Sequence, residues 1–150
     1  MTAEEYMEIA LECAHKAFEQ DEVPVGAVIV NPLNGEIIAK AYNKSAHKGD
    51  ATSHAEILAI KKACAKLKTS RLWDLDMYVT LEPCTMCAAA ISFARINCLY
   101  FGATDEKGGA VVSGVKFYES NTCHHRPKVY GGILGQPCSE LLKTFFKNKR

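Results

Sequence analysis

The chain has 150 residues, which is the size of one domain and is too short for two independent hydrophobic cores. Lysine and arginine nearly balance aspartate and glutamate, so the net charge of +1 excludes a strong overall field for polyanions, and any contact with nucleic acid must come from local patches. The sequence shows neither a long apolar run nor a signal peptide, and its seven cysteines are an odd number, so we expect a soluble, cytoplasmic single domain with reduced thiols.

Apolar spacing predicts that helices and strands alternate along the chain. Residues 3–20 place apolar side chains at helical spacing, and residues 23–30 form an apolar, β-branched run that is typical of a strand covered on both faces. Turn-forming residues at 31–35 precede a second strand at 36–42, so these two strands are predicted to form a hairpin. The later elements are predicted as helices at residues 53–67, 84–93 and 137–147 and as strands at residues 76–81, 97–102 and 128–133.

This order of elements indicates an α/β domain whose central sheet is covered by helices on both faces. The hairpin makes the sheet mixed, because hairpin strands are antiparallel whereas strands joined by helices are usually parallel. The longest stretch without clear periodicity is residues 102–122. Loops of that length are more often functional than idle, so we expect this one to contribute to function.

One histidine and two cysteines form a candidate zinc site, which consists of His54, Cys84 and Cys87. One imidazole and two thiolates leave the fourth position of a tetrahedral zinc ion open to water, and this is typical of catalytic zinc. All three residues lie in the first turn of a predicted helix, where partial positive charge lowers thiol pKa values and favours the metal-binding thiolate. Because ligands bind where the carboxyl ends of strands gather in α/β sheets, we expect both helix starts to lie at that edge.

Glu56 lies two residues after His54 and is the candidate proton carrier. A zinc ion lowers the pKa of a bound water from about 15.7 towards roughly 7, and a nearby carboxylate can then move the proton to the leaving group. Glu56 is therefore predicted to act as general acid and base. A structural alternative stays open, because Glu56 follows Ser53 by three residues and the two would also complete a helix capping box.

Other candidate residues also have simpler explanations. Cys84 and Cys87 alone have the spacing of a redox pair, and Asn43 alone is an ordinary turn residue. Four residues near the end of the chain could together bind a second zinc ion, and these are Cys123, His124, His125 and Cys138. A basic tail is either a solvated helix end or a phosphate contact, and it comprises Lys143, Lys147, Lys149 and Arg150.

The order His-x-Glu followed by Pro-Cys-x-x-Cys resembles the signature of the zinc nucleobase deaminases. Within that superfamily the chain is similar to the bacterial tRNA adenosine deaminases across most of its length. The matching segments are residues 23–27, 41–43, 54–57, 79–87 and 101–107, followed by several between 125 and 146. The resemblance implies a three-layer α/β/α cytidine deaminase-like fold with a mixed five-stranded sheet, one Zn²⁺ per subunit, and a homodimer.

The same resemblance implies a reaction and a substrate. The reaction is the hydrolytic deamination of adenosine to inosine at the wobble position of a tRNA anticodon, and the anticodon stem-loop is the part of the tRNA that the protein contacts. It also implies that the side-chain amide of Asn43 forms hydrogen bonds with the target nucleoside. The substrate-binding residues so implied are Asn43, Val25 and Ala55 around the base, Asp105 and Lys107 near the RNA backbone, and Phe146 at the anticodon loop.

Two other functions are alternatives to this one. A deaminase of a free base or nucleoside, of the guanine or cytosine type, would use the same zinc, water and glutamate. Residues 105–107 and the Phe145-Phe146 pair favour the tRNA-acting enzymes over that alternative. A structural-zinc or RNA-binding module without catalysis would need a fourth protein ligand, and the three-ligand set argues against it.

Overall fold

The computed structural model describes residues 1–149 and has a five-stranded sheet at its centre. The strands are β1 (Gly26–Asn31), β2 (Glu36–Tyr42), β3 (Asp76–Leu81), β4 (Cys98–Ala103) and β5 (Lys128–Tyr130), in the order β2-β1-β3-β4-β5 across the sheet. The helices are α1 (Ala3–Glu19), α2 (Ser45–Lys48), α3 (Ala55–Leu67), α4 (Thr85–Phe93) and α5 (Gly135–Asn148), and a 3₁₀ turn covers Phe117–Glu119.

The direction of the strands decides where the loops and helix starts gather. β1 is antiparallel to both of its neighbours, whereas β3, β4 and β5 are parallel to one another. β2 therefore runs in the same direction as β3, and the carboxyl ends of both strands lie at one edge of the sheet. Because α2 and α3 follow β2 and α4 follows β3, α3 and α4 both begin near that edge.

Helices cover both faces of the sheet. Alternate strand residues such as Ile29 and Met77 point into one core, which α3 and α4 cover, while Val28 and Tyr78 point into the other, which α1 and α5 cover. Cys13 and Cys98 are among the buried apolar side chains, as expected for small hydrophobic residues. The predicted three-layer α/β/α arrangement around a mixed sheet is confirmed.

Helix α1 packs directly against the start of β1 at Gly26. A Cβ atom on Gly26 would lie 2.0 Å from the carbonyl oxygen of Ala10 and 2.6 Å from the amide nitrogen of Ala14. Only glycine permits this approach of helix backbone to strand backbone. The contact holds the beginning of β1, and with it Val25, at the edge of the sheet where the helix starts gather.

Several boundaries differ from the sequence-based expectation. β1 begins at Gly26 rather than at residue 23, because Pro24 has no N–H for a strand ladder, and Val25 instead accepts a hydrogen bond from Asn43 N–H at 3.0 Å. Helix α2 was not predicted, since four residues are too few to show periodicity. Within residues 1–149, the structure contains no helix that is both long and apolar enough to span a membrane.

Candidate metal centre

Two helix starts bring the candidate metal ligands to the same edge of the sheet. His54 is the N-cap residue of α3 and Cys84 is the N-cap residue of α4, and both have extended backbone conformations. N-cap side chains usually bond to the first turn of their own helix. Neither His54 nor Cys84 makes such a capping bond within residues 1–149, so both side chains are available to a shared ligand.

The three candidate ligand atoms lie close together. Nδ1 of His54 is 3.6 Å from Sγ of Cys84 and 3.4 Å from Sγ of Cys87, and the three atoms all lie within 4.8 Å of one another. Bonds of about 2.3 Å to sulfur and about 2.0 Å to nitrogen at a tetrahedral zinc ion would separate sulfur from nitrogen by about 3.5 Å. The residues therefore fit a tetrahedral ion with one position to spare. In the part of the chain that the structure describes, this is the single such group of three His, Cys, Asp or Glu residues.

The electrostatics of the three side chains also favour a cation. A hydrogen bond from the Cys87 thiol lowers the pKa of Cys84 to about 4, and a further bond with His54 adds to this effect against the opposing effect of burial. The same bond and burial raise the pKa of the Cys87 thiol, while contact with Cys84 raises the pKa of His54. Two thiols this close do not both ionise easily by themselves. A divalent cation between them would stabilise both as thiolates.

Glu56 lies in the first turn of α3 and is 4 % exposed. Burial raises the pKa of its carboxyl group to about 7, with a smaller contribution from Cys84, so both protonation states are accessible near neutral pH. The capping-box alternative is wrong, because His54 rather than Ser53 is the N-cap residue, and the Ser53 hydroxyl instead donates to Oδ2 of Asp50 at 3.2 Å. The Glu56 carboxyl group is thus not committed to helix capping.

A cavity of about 430 Å³ opens beside these side chains. Most of the site residues predicted from the sequence border this cavity, and they are Val25, Asn43, His54, Ala55, Glu56, Cys84 and Asp105. The cavity is also bordered by residues that were not predicted, which include Glu22, Leu81, Glu82, Gly108 and Phe145. Cys87 is fully buried. The arrangement combines a metal-ligand set, a protonatable carboxyl group and space for a small organic ligand.

Two of the expected substrate contacts lie outside the cavity wall. Lys107 is exposed on the loop after β4, and its N–H donates to Oδ1 of Asp105 at 3.2 Å. Phe146 is 47 % exposed and borders a separate groove on α5, whereas the adjacent Phe145 is 6 % exposed and borders the cavity itself. The structure therefore places Phe145 in the cavity wall, whereas Lys107 and Phe146 are on the protein surface outside it.

Glu82 is a buried carboxylate that the sequence-based reasoning missed. Its two oxygens accept hydrogen bonds of 2.9 to 3.0 Å from the loop between β4 and the 3₁₀ turn, and the donors are the N–H groups of Asp105, Val111, Val112 and Ser113 and the Ser113 hydroxyl. Burial works to raise the pKa of Glu82, but these hydrogen bonds outweigh it and hold the pKa below its ordinary value. Glu82 thereby ties the loop that carries Asp105 to the strand that precedes Cys84. The sequence did contain one indication of this role, which is the position of an acidic residue directly after an apolar strand.

Glu22 is a second buried carboxylate without a role in the sequence-based prediction, and it contacts Asn43. Oε1 of Glu22 accepts from Nδ2 of Asn43 at 3.3 Å and from Ala46 N–H at 3.2 Å, while Oε2 accepts from His47 N–H at 2.7 Å and lies 2.6 Å from Nδ1 of His47. Asn43 is 7 % exposed, and its Oδ1 accepts from the Ser45 hydroxyl at 3.2 Å. Asn43 is therefore a buried, hydrogen-bonded residue at the cavity rather than a solvated turn residue.

The second metal site considered from the sequence does not form. Sγ of Cys123 lies 3.2 Å from the backbone oxygen of His125, and Nε2 of His125 lies 2.7 Å from the backbone oxygen of Ile96. Cys138 packs against Gly102 in the core on the other face of the sheet, and His124 is exposed. Cys123 belongs to the core that α3 and α4 cover, so the sheet separates it from Cys138.

The basic tail is only partly available to a ligand. The Lys149 ammonium pairs with Oδ1 of Asp21 and lies 5.3 Å from the centre of the Phe145 ring, so it links the end of α5 to the loop after α1. Lys143 and Lys147 are exposed on α5. Arg150, which the sequence grouped with them as a possible phosphate contact, lies outside the described residues.

Comparison with known proteins agrees with this geometry. A family model for MafB19-like deaminases matches residues 1–150. A relative from Agrobacterium fabrum named tRNA-specific adenosine deaminase is 55% identical over 145 residues, which cover 97% of this chain and 94% of that protein. A relative of the same name from Aquifex aeolicus is 47% identical over 150 residues, which cover 100% of this chain and 97% of that protein.

Solved structures show the same similarity. One from a study of A-to-I editing by tRNA:A34 deaminases at the wobble position of transfer RNA is 54% identical, with a TM-score of 0.88 over 91% of this chain and 98% of that chain. Guanine deaminase from Nitrosomonas europaea shares the fold alone, at 22% identity and a TM-score of 0.80 over 96% of this chain and 84% of that chain. Because the family model matches along the whole length and the relatives are this similar, the chain belongs to the MafB19-like deaminases and, among them, to the tRNA-specific adenosine deaminases.

Proposed function

We propose that this deaminase converts adenosine to inosine at the wobble position of a tRNA anticodon. The observation that carries the proposal is the group of His54, Cys84 and Cys87 beside the buried carboxyl group of Glu56, at the wall of a cavity. The names of the relatives support adenosine in tRNA as the substrate. The net reaction consumes water and adenosine and yields inosine and ammonia.

The metal of this proposal is one Zn²⁺ per chain, held by His54, Cys84 and Cys87. The separations of 3.4 and 3.6 Å between the histidine nitrogen and the two sulfurs support a tetrahedral ion with these ligands. Bound zinc supplies a water molecule whose pKa is lowered towards about 7. The two thiolates and one neutral imidazole leave a position for that water.

Glu56 is the proposed general acid and base. Its carboxylate accepts one proton of the water and delivers it to a ring nitrogen of adenine as the water oxygen bonds to the ring carbon. It later passes a second proton, from the hydroxyl so formed, to the amino group, and the carbon–nitrogen bond breaks to release ammonia. The pKa of about 7 that burial gives this carboxyl group suits the role, because a proton carrier works best when its pKa lies near the working pH. The position two residues after His54 supports its placement beside the metal.

The cavity is the proposed site of the target nucleoside. Its volume of about 430 Å³ is in the range of small-molecule sites, which span about 300–1,000 Å³. Asn43 provides hydrogen bonds to the nucleoside, and Val25 and the backbone at Ala55 line the base pocket. Because an adenosine in an RNA loop must leave its stack to enter such a cavity, the surrounding surface contacts the flanking nucleotides.

The RNA contacts of the proposal are local. Asp105 and Lys107 lie near the RNA backbone and Phe146 contacts the anticodon loop, with exposed lysines of α5 as further phosphate contacts. The net charge of +1 is consistent with contacts made by a few side chains rather than by an overall field. We further propose that the 150 residues form a single deaminase domain, which acts as a homodimer in the cytoplasm, where tRNA is found.

One assay tests the substrate directly. The purified protein is incubated with an anticodon stem-loop that carries adenosine at the wobble position and, separately, with free adenosine, guanine and cytosine. Inosine and ammonia are expected from the stem-loop alone. The matched control is the same stem-loop with guanosine at that position, which should yield no ammonia. Turnover of a free base, with none of the stem-loop, would contradict the proposal in favour of a free-base deaminase.

A further inference from the structure

The loop after α1 places a buried carboxylate, Glu22, at the cavity, where it bonds to Asn43 and to the start of α2. Glu22 is 2 % exposed and borders the same cavity as Asn43, although 21 residues separate the two in sequence. We propose that Glu22 is a positioning residue, which fixes the orientation of the Asn43 side-chain amide for nucleoside binding. This inference rests on the proposed function, in which Asn43 contacts the nucleoside.

The side chains of Glu22 and Asn43 differ in the hydrogen bonds that they can make. An ionised carboxylate only accepts hydrogen bonds, whereas an amide donates from its nitrogen and accepts at its oxygen. Burial works to raise the pKa of Glu22, but hydrogen bonds from His47 and Ala46 outweigh it, so the pKa lies below its ordinary value and the group is ionised at neutral pH. The amide of Asn43 must therefore turn its Nδ2 towards Glu22, as observed at 3.3 Å.

The other end of the amide is satisfied in the same orientation, because Oδ1 of Asn43 accepts a hydrogen bond from the Ser45 hydroxyl at 3.2 Å. A hydroxyl can also accept, so Ser45 tolerates either orientation of the amide, and the carboxylate of Glu22, which only accepts, decides between them. These two bonds use one of the two N–H groups of Nδ2 and one of the two lone pairs of Oδ1. The second N–H and the second lone pair are left to recognise a nucleoside in the cavity.

Glu22 also bonds to the start of α2, so a purely structural role must be distinguished from positioning. Its oxygens accept from the N–H groups of Ala46 and His47 and contact Nδ1 of His47, which together hold α2 against the loop. His47 contacts Oε2 only, whereas Asn43 contacts Oε1. Loss of the His47 side chain should therefore loosen α2 while the bond between Glu22 and Asn43 remains.

Nuclear magnetic resonance of the ¹⁵N-labelled protein tests the bond without any assay of activity. The Asn43 side-chain signal is identified by its loss in Asn43→Ala. In the wild-type protein one Nδ2 proton should exchange with solvent much more slowly than a free amide does. In Glu22→Gln that protection should fall, whereas in His47→Ala it should persist. Fast exchange of both protons in the wild-type protein would overturn the inference, even if the variants failed to fold.

Kinetics on the wobble-adenosine stem-loop then test the consequence. Glu22→Gln should lower kcat/KM by roughly 10- to 100-fold, the effect of losing a hydrogen bond to a charged group, and mainly by raising KM. In the Asn43→Ala background the same Glu22→Gln change should have little further effect, because the side chain through which Glu22 acts is gone. Glu36→Gln is the matched control, since Glu36 lies on the surface in a pair with Lys66.

The outcomes separate this inference from the proposed function. Equal losses from Glu22→Gln with and without Asn43 would mean that Glu22 acts through the general stability of the loop, and would overturn positioning. A wild-type protein that protects the Asn43 amide but does not deaminate the stem-loop would refute the proposed substrate. In that case the protection data would still support the bond between Glu22 and Asn43.

Discussion

The side chain of Glu56 provides the sharpest single-residue prediction. Glu56→Ala removes the proposed proton carrier but none of the three candidate metal ligands. We expect the variant to keep its zinc, measured by elemental analysis, while deamination of the stem-loop falls by on the order of 10²- to 10⁴-fold, the usual contribution of a general acid or base. Glu36→Ala, which changes an exposed glutamate, is the control. Substantial residual turnover in Glu56→Ala would refute the shuttle role.

The two helix-start cysteines lead to a prediction about metal content. Cys84→Ser replaces a thiolate whose pKa is lowered to about 4 with a hydroxyl group that does not ionise at neutral pH. We expect the zinc content of this variant to fall from near full occupancy to a small fraction. Cys64→Ser is the matched control, because Cys64 is also half-buried but lies outside the ligand group. A fully loaded Cys84→Ser protein would contradict the assignment of Cys84 as a ligand.

Residues of the candidate site differ in how far sequence could predict them. The proximity of His54 to Cys84 and Cys87 follows from local spacing and from the rule that strand ends gather at one edge of the sheet. The roles of Glu22 and Glu82 could not be predicted in this way. Glu82 bonds to Ser113, 31 residues later, across a loop that has no periodicity in the sequence. A buried carboxylate is recognised by its partners, and those partners exist only in the folded chain.

Elements with a strong apolar pattern were predicted best. The bounds of β2 and β3 agree with the prediction to the residue, because both strands have clear patterns and flanking turns. The last strand was predicted through residue 133 but ends at Tyr130. A Cβ at Gly131 would lie 2.5 Å from the Phe101 ring, so the chain there packs edge-on against an aromatic side chain instead of continuing the ladder. Contacts of this kind leave no periodic signal.

The loop between β4 and the 3₁₀ turn is an element whose stability should depend on pH through Glu82. The folded pKa of Glu82 lies below its unfolded value, so its stabilising effect is complete above the unfolded pKa of about 4.3 and is lost as the pH falls through the folded pKa. Glu82→Gln should lower the free energy of unfolding at pH 7 by roughly 2–4 kcal/mol. The charge-assisted hydrogen bonds are lost, and the NH₂ group of the glutamine, which is a donor, would face the N–H groups of the loop.

Denaturant unfolding of both proteins at pH 7 and below pH 4 measures this effect. The difference between wild type and Glu82→Gln should shrink below the unfolded pKa of about 4.3, because the unfolded wild-type chain takes up a proton there while the folded carboxylate, whose pKa is lower, does so only in stronger acid. Other carboxylates with lowered pKa values, such as Glu22, affect both proteins equally and cancel in the difference. Glu36→Gln should change stability by no more than about 0.5 kcal/mol at either pH. A difference that stays constant with pH would show that Glu82 is not held as a carboxylate.

On the scale of the whole molecule, the candidate metal site joins parts of the chain that are distant in sequence. His54 precedes Cys84 by 30 residues and Cys87 by 33, and the three side chains connect the starts of α3 and α4 across the edge of the sheet. The fold class was predictable because strands and helices alternate, and the same pattern indicated five strands with helices on both faces; the family resemblance identified this arrangement as cytidine deaminase-like. The position of the cavity depends on Gly26, Glu22 and Glu82, whose contacts are all long-range.

Because the candidate ligands belong to the starts of two helices, removal of the proposed zinc ion should lower the stability of the whole folded chain. An ion that binds the folded but not the unfolded chain stabilises it by an amount that grows with the logarithm of free ion concentration. We expect a strong chelator to lower Tm, and added Zn²⁺ to restore it, whereas Mg²⁺, which prefers oxygen ligands, should not. Cys84→Ser should already have the lower Tm and should respond weakly to either treatment. If chelation removes the zinc, as measured by elemental analysis, and Tm stays unchanged, then the ion does not connect the two helices in the way that their ligand positions indicate.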